Sequence, residues 1–339
     1  MYNEYDADLL YAMAKEFYVN NKIDKAFNLI SQSLKIDPHF YPALTLKGEI
    51  LAAQGDITTG LPLAECWRYD YGADIYAEEL SLRWYGNPTD NLVLIRGDQG
   101  HGDTLLFLRY MPMVQERCTK LMIMVQNNLE RLVAQSFPGL LFTPYDQRDK
   151  EFVVVCSKAD FPLMRHTPVA CLPTIFGSTI ETLPGVPYLK ADKTTNGGVG
   201  FCWYSGRNFF QNVIQNERFI ISMRNKSIPH CLLKPLIEKT NGISLQHEDL
   251  KTKDFAETAA ILNGLDLIIT VDTSIANLAC ALGKKTWVLL MKGCDWRWGH
   301  KGDSTPWYPT ARLFRQKTKG DWFPVIKELE KALKQEGFS

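Results

Sequence analysis

From Asn91 onward, short apolar runs alternate with helical patterns, and this alternation constrains the fold more than any other feature of the chain. Leu92–Ile95, Leu121–Val125 and Phe152–Val155 read as buried strands. After a break at Gly197-Gly198, a second series follows with Val199–Trp203, Ile243–Leu245, Leu267–Val271 and Thr286–Leu290. Strands this apolar, separated by helix-length segments, predict parallel sheets joined by βαβ crossovers. Two series predict two doubly wound, Rossmann-like α/β lobes facing a cleft, at 85–196 and 197–320. A last amphipathic helix is expected over Phe323–Leu333, within a terminal segment 321–339.

The segment ahead of these lobes, 1–84, reads as helical. Leu10, Met13, Ala14 and Phe17 recur at helical spacing, and a polar turn follows at Asn20-Asn21-Lys22. A second amphipathic run through Ala26, Ile30 and Leu34 stops at Asp37-Pro38, since proline cannot continue a helix. Counted back from Pro38 on a 34-residue period, Leu10, Ala14, Phe17, Ala26 and Ile30 take the packing positions of a tetratricopeptide repeat. Leu44, Gly48 and Leu51, with a turn at Gly55-Asp56, repeat the pattern in part. The other reading is a set of helices that cap the next domain. Either way this region is a packing or docking surface rather than a site of chemistry.

Lys plus Arg and Asp plus Glu each total 38, so no net field attracts a polyanion, and no nucleic-acid partner is expected. The eight cysteines form no C-x-x-C pair and several lie in apolar runs, which favours buried reduced thiols over a disulfide framework. The acidic start MYNEYDADLL lacks the basic-then-apolar pattern of a signal peptide, and no run approaches about 18 apolar residues. A cytoplasmic protein without a membrane span is the expectation.

Three stretches can carry chemistry. In the first, Arg96-Gly97-Asp98-Gln99-Gly100-His101-Gly102-Asp103-Thr104, a strand runs through closely spaced glycines into a helix. Glycines permit a tight turn and close approach of a ligand, and a helix N-terminus offers unpaired N–H groups. The spacing is G-x-x-G-x-G rather than G-x-G-x-x-G. The next strand ends in Gln126 where an acidic residue would hold a ribose, so a dinucleotide fold is disfavoured. In the second, Asp272-Thr273-Ser274 open a helix directly after the strand ending at Val271, a position suited to a diphosphate. Asp272 or Thr273 acting solely as a helix N-cap is the competing reading. In the third, Asp295-Trp296-Arg297-Trp298 and Thr305-Pro306-Trp307-Tyr308-Pro309, the aromatic rings either stack on a sugar or base or pack the loop onto its domain.

Together these stretches resemble one family. RGDQGHGDTLLFLRYMP is similar to the loop opening the first lobe of tetratricopeptide-fused bacterial glycosyltransferases related to the lipopolysaccharide heptosyltransferases. LDLIITVDTSIANLACALGKKTWVLL, DWRW, TPWYP and RLFRQ resemble their nucleotide-sugar lobe. The resemblance spans roughly residues 90–335. It implies a GT-B fold, an acceptor on the first lobe, a nucleotide-sugar donor on the second, and neither metal nor cofactor. By position it makes Asp103 the general base, with Gly100, His101 and Gly102 in the acceptor loop. Asp272, Thr273 and Ser274 would line the leaving diphosphate, with Arg207 or Lys226 as the neutralising cation. Gln246 and His247 would meet the base or ribose. Asn277 stands where the family's D-T-x-x-x-H pattern has histidine, and Asn208–Ile221 reads as an insertion. The implied activity is inverting transfer of a hexosyl or heptosyl group to a glycan or protein hydroxyl, the acceptor docked by the repeats. A non-catalytic scaffold on a degenerate transferase fold is the second expectation.

Overall fold

The computed structural model describes residues 6–65, 82–97, 99–143, 165–194, 196–205 and 225–338. The chain forms two compact units. The first comprises Met1–Glu130, Phe137–Pro184 and Asp295–His300, and the second Arg131–Ser136, Gly185–Cys294 and Lys301–Ser339.

In the first unit, helices α1 (Ala7–Val19), α2 (Ile23–Ile36), α3 (Tyr41–Ala53) and α4 (Ile57–Ala64) pack as successive antiparallel pairs. Of the residues expected to pack, Leu10, Ala14, Ala26 and Ile30 are buried, whereas Phe17 is only partly buried against the cluster that holds Ala14, Ala26 and Ile30. Asp6 caps α1 by accepting from Leu9 N–H, and α2 ends at Asp37 just ahead of Pro38. The α3–α4 pair is tighter still. A Cβ on Gly48 would fall 2.2 Å from the Ala64 nitrogen, and one on Gly60 would fall 2.6 Å from that of Ala52. Only glycine lets these two backbones meet at that distance.

A parallel sheet follows in the order β3 (Leu141–Phe142), β2 (Cys118–Met124), β1 (Thr89–Arg96), β4 (Arg165–Pro168). Leu94 of β1 lies opposite Met122 on one side and His166 on the other. The strand expected at Phe152–Val155 lies outside the described residues.

The second unit holds a five-stranded parallel sheet ordered β6 (Ile243–Ser244), β5 (Val199–Cys202), β7 (Leu267–Val271), β8 (Thr286–Leu290), β9 (Ala311–Arg315). Every residue of β5, β7 and β8 is buried, the signature of strands covered on both faces. The terminal helix, Phe323–Gln335, sets Val325, Leu329 and Leu333 against Trp287 and Phe314 of the sheet. Both sheets are α/β and doubly wound in type. Among the described residues, no helix is long and apolar enough to cross a membrane.

Candidate functional site

In an open parallel sheet, ligands gather at the carboxyl ends of the strands where the strand order reverses. In the first unit the reversal lies at β1, which pairs with β2 on one side and β4 on the other. In the second it lies at β5 and β7. The loops singled out in the sequence leave from these points.

β1 ends at the buried Arg96, and Gly97 N–H donates to Met124 carbonyl at 2.6 Å. A Cβ at Gly97 would crowd Thr104 and the Met124 carbonyl at 3.1–3.2 Å, so here glycine serves close approach. The left-handed residue of the turn is Gln99, with φ 58°, whereas Gly100 is extended at φ −89°. Gln126 holds the loop shut, accepting from Thr104 Oγ1 at 3.1 Å and donating to Gln99 carbonyl at 3.4 Å. The residue that argued against a ribose site is thus a brace for this loop.

The helix His101–Phe107 then begins, with Gly102 in its first turn. Its third residue, Asp103, reaches back so that Oδ2 accepts the Gly100 N–H at 3.0 Å. That bond satisfies one of the helix's open donors from within. Asp103 Oδ1 accepts from Arg297 Nη2. Arg297 belongs to a one-turn helix, Trp296–Trp298, capped by Asp295, and its Nε donates to Asp295 Oδ1 at 2.8 Å. The buried guanidinium therefore bridges two carboxylates and lies 5.5 Å from the Trp296 ring centroid. His101 is bonded to Asn128 at 2.8 Å, and burial pushes its pKa down, so its imidazole is neutral at neutral pH. Near this cluster, on α3, stands Glu49. Burial and the neighbouring Asp295 push its carboxyl up to about 7, against the opposing pull of Lys15 and Arg297.

In the second unit, β7 leads into Asp272, and Thr273 caps the helix Ser274–Ala281 by accepting from Ile275 N–H at 3.2 Å. Thr273 Oγ1 also lies 3.2 Å from Thr270 Oγ1. Of the two candidate N-caps, Thr273 holds the position. Asp272 instead pairs with Lys226 at 2.8 Å, so two residues 46 positions apart in sequence meet beside Ser274 at the helix start. Gln246 follows β6, and its Oε1 accepts from the N–H groups of Trp203 at 2.9 Å and Tyr204 at 3.2 Å. Its carbonyl thereby ties the chain after β5 to the chain after β6. His247 is exposed, and Arg207 lies outside the described residues, as does the segment Asn208–Ile221.

Asn277 is buried, its Oδ1 accepting from Tyr308 hydroxyl at 3.0 Å and its Nδ2 donating to Thr273 carbonyl at 3.1 Å. Its oxygen and one amide hydrogen are thus engaged by the fold, where it anchors the start of its helix. The third stretch also favours packing, since Trp298, Trp307 and Tyr308 are all fully buried. Sequence reasoning missed Arg297 as the partner of Asp103, the only signal being charged residues flanking the tryptophans. Among the described residues, no three His, Cys, Asp or Glu side chains group so as to hold a metal.

No protein-family model matches the chain. No curated protein matches it either. Among solved structures, the chain is similar to the Escherichia coli ADP-heptose lps heptosyltransferase II at 15% identity and TM-score 0.44, over 72% of this chain and 99% of that one. It is similar to a glycosyl transferase family 9 protein from Veillonella parvula at 9% identity and TM-score 0.42, over 75% and 94%. It is also similar to the E. coli heptosyltransferase WaaC, solved with ADP, at 12% identity and TM-score 0.39, over 71% and 99%. Likenesses this distant leave the reading of the site to the chain's own residues.

Proposed function

We propose that this chain is a metal-independent, inverting glycosyltransferase of GT-B type that takes a nucleotide-sugar donor and requires no cofactor. The observation that carries the reading is the Lys226–Asp272 pair, beside Ser274 and the helix N-terminus, at the strand-order reversal of the second sheet. An ammonium and a hydroxyl beside the positive end of a helix suit the charge that develops on a departing nucleoside diphosphate. The second unit is accordingly assigned the donor. Thr273 fixes the helix start, Gln246 positions the backbone after β5, and His247 and Arg207 remain candidates for the donor's base, ribose or phosphate.

The first unit is assigned the acceptor, with Asp103 as base in the loop Gly100-His101-Gly102. As the acceptor hydroxyl oxygen bonds to the anomeric carbon, the bond from that carbon to the diphosphate breaks. Asp103 takes the hydroxyl proton, and configuration at the carbon inverts. Arg297 and Gly100 N–H each occupy one position on Asp103 and fix its plane, while each carboxylate oxygen keeps a second lone pair. The helices α1–α4 are read as a tetratricopeptide-like module that docks a glycan or protein acceptor, and the protein as cytoplasmic.

A panel of nucleotide sugars, with hydrolysis followed over hours, tests the reading. Turnover of one donor that is lost in Asp103→Asn supports it. No turnover and no binding of any donor would sink it. The inward commitment of Asn277, where the family pattern places histidine, favours a second reading as a non-catalytic scaffold. That reading predicts partner assembly, unaffected by Asp103→Asn, as the measurable property.

A further inference from the structure

Two carboxylates share the buried Arg297. Its Nε donates to Asp295 Oδ1 at 2.8 Å, and its Nη2 donates to Asp103 Oδ1. Asp295 is bound twice over by its own turn, since Oδ1 also accepts the Arg297 backbone N–H at 3.2 Å. One carboxylate balances one guanidinium. The second leaves an excess negative charge beside a buried cation, where excess charge is costly to the fold. Functional groups held by a supporting shell show this kind of surplus bonding.

The turn that carries Arg297 is seated on the helical segment. α3 packs against Trp296–Trp298, and a Cβ on Gly299 would lie 3.5 Å from the Ala53 carbonyl at the end of α3. On the α1 side, His300 meets the Tyr18 ring edge-on with centroids 5.5 Å apart, and its carbonyl accepts from Asn21 Nδ2 at 3.4 Å.

We propose that Arg297 and Asp295 are positioning residues for Asp103, and that α1 and α3 form the seat that holds them in place. The inference rests on the reading of Asp103 as base. Arg297 grips Oδ1 and Gly100 N–H grips Oδ2, so the carboxylate cannot turn about its Cβ–Cγ bond and its remaining lone pairs keep one direction. Asp295 keeps the arginine from neutralising the base outright. With both carboxylates charged the trio carries one negative charge in excess, and the proton from an acceptor hydroxyl brings it to zero. The helical segment thereby supports the base's own site as well as offering a docking surface.

Kinetics of the full-length protein, with a donor that the wild type turns over, test the proposal. Arg297→Met should lower kcat about a hundredfold while donor KM stays within about twofold. Methylguanidinium, which can refill the vacated place, should restore about tenfold of that loss, and nothing in the Asp103→Asn, Arg297→Met double variant. His300→Ala should lower kcat about tenfold, and His300→Phe, which keeps a ring against Tyr18, should recover it. Undiminished kcat in Arg297→Met, or a loss in the folded variant that methylguanidinium leaves untouched, overturns the proposal. A second measurement needs no donor and no variant of Arg297. In arginine side-chain nitrogen NMR, Asp103→Asn should shift the Arg297 Nη2 signal and leave Nε, bonded to Asp295, in place. A spectrum unchanged by Asp103→Asn overturns the proposal. A wild type that turns over no donor, yet shows that shift, marks failure of the transferase reading and not of the hold on Asp103.

Discussion

Replacing Glu49 by glutamine should make the protein more stable at alkaline pH, although it removes a negative charge from the neighbourhood of Lys15 and Arg297. In the folded protein, burial and Asp295 raise the Glu49 carboxyl from its ordinary 4.5 to about 7. The native state therefore binds this proton more tightly than the unfolded chain does. Glu49's contribution is fully present below 4.5, falls as pH rises toward about 7, and is flat above. At about 1.4 kcal/mol per unit, the displacement is worth about 3 kcal/mol once the group is ionised. Glu49 is half-buried and solvent screening reduces this, so a gain of roughly 1–3 kcal/mol is expected for Glu49→Gln at about pH 8. Near pH 5, the amide and the protonated acid should differ by less than about 1 kcal/mol. Urea unfolding followed by circular dichroism at both pH values measures the difference. Wild type and variant that keep the same spacing at both values, or a variant less stable at the higher one, would refute the reasoning.

Gly48→Ala should unfold or splay the α3–α4 pair, at a cost of about 3 kcal/mol or more, because its Cβ meets backbone 2.2 Å away. Thermal melts by circular dichroism report it. Thr273→Ala removes the cap of the Ser274 helix and should cost about 1 kcal/mol, read from the same melts. Tyr308→Phe leaves Asn277 Oδ1 without its buried donor and should cost about 1–3 kcal/mol. Because Asn277 faces the fold, calorimetry should find nucleotide binding unchanged in that variant.

The parts of this molecule visible in the sequence are those that local physics decides. Leu267–Val271 and Thr286–Leu290 appear as strands at their expected bounds, since strands buried on both faces must be apolar along their whole length. β4, Arg165–Pro168, escaped notice because RHTP carries no apolar period and becomes a strand only by pairing with β1. The Gly-rich loop was placed correctly, yet its left-handed residue is Gln99, held by Gln126 from the following strand. The Asp103–Arg297 pair spans 194 residues of sequence, and Lys226–Asp272 joins residues 46 positions apart. No spacing rule reaches such partners. Glu49 was invisible for a related reason. On α3 it reads as one more charge on a helix, and its unusual titration arises first from burial and then from Asp295 in a distant turn.

On the proposed function, the Lys226–Asp272 corner receives the diphosphate of a nucleotide sugar. Isothermal titration of wild type and Lys226→Met with a series of nucleoside diphosphates and nucleotide sugars tests it most directly. At least one nucleotide should bind the wild type, and Lys226→Met should weaken it by about tenfold or more, the loss of one charge-assisted contact. Binding of equal strength in both proteins, or no binding to either, would contradict it.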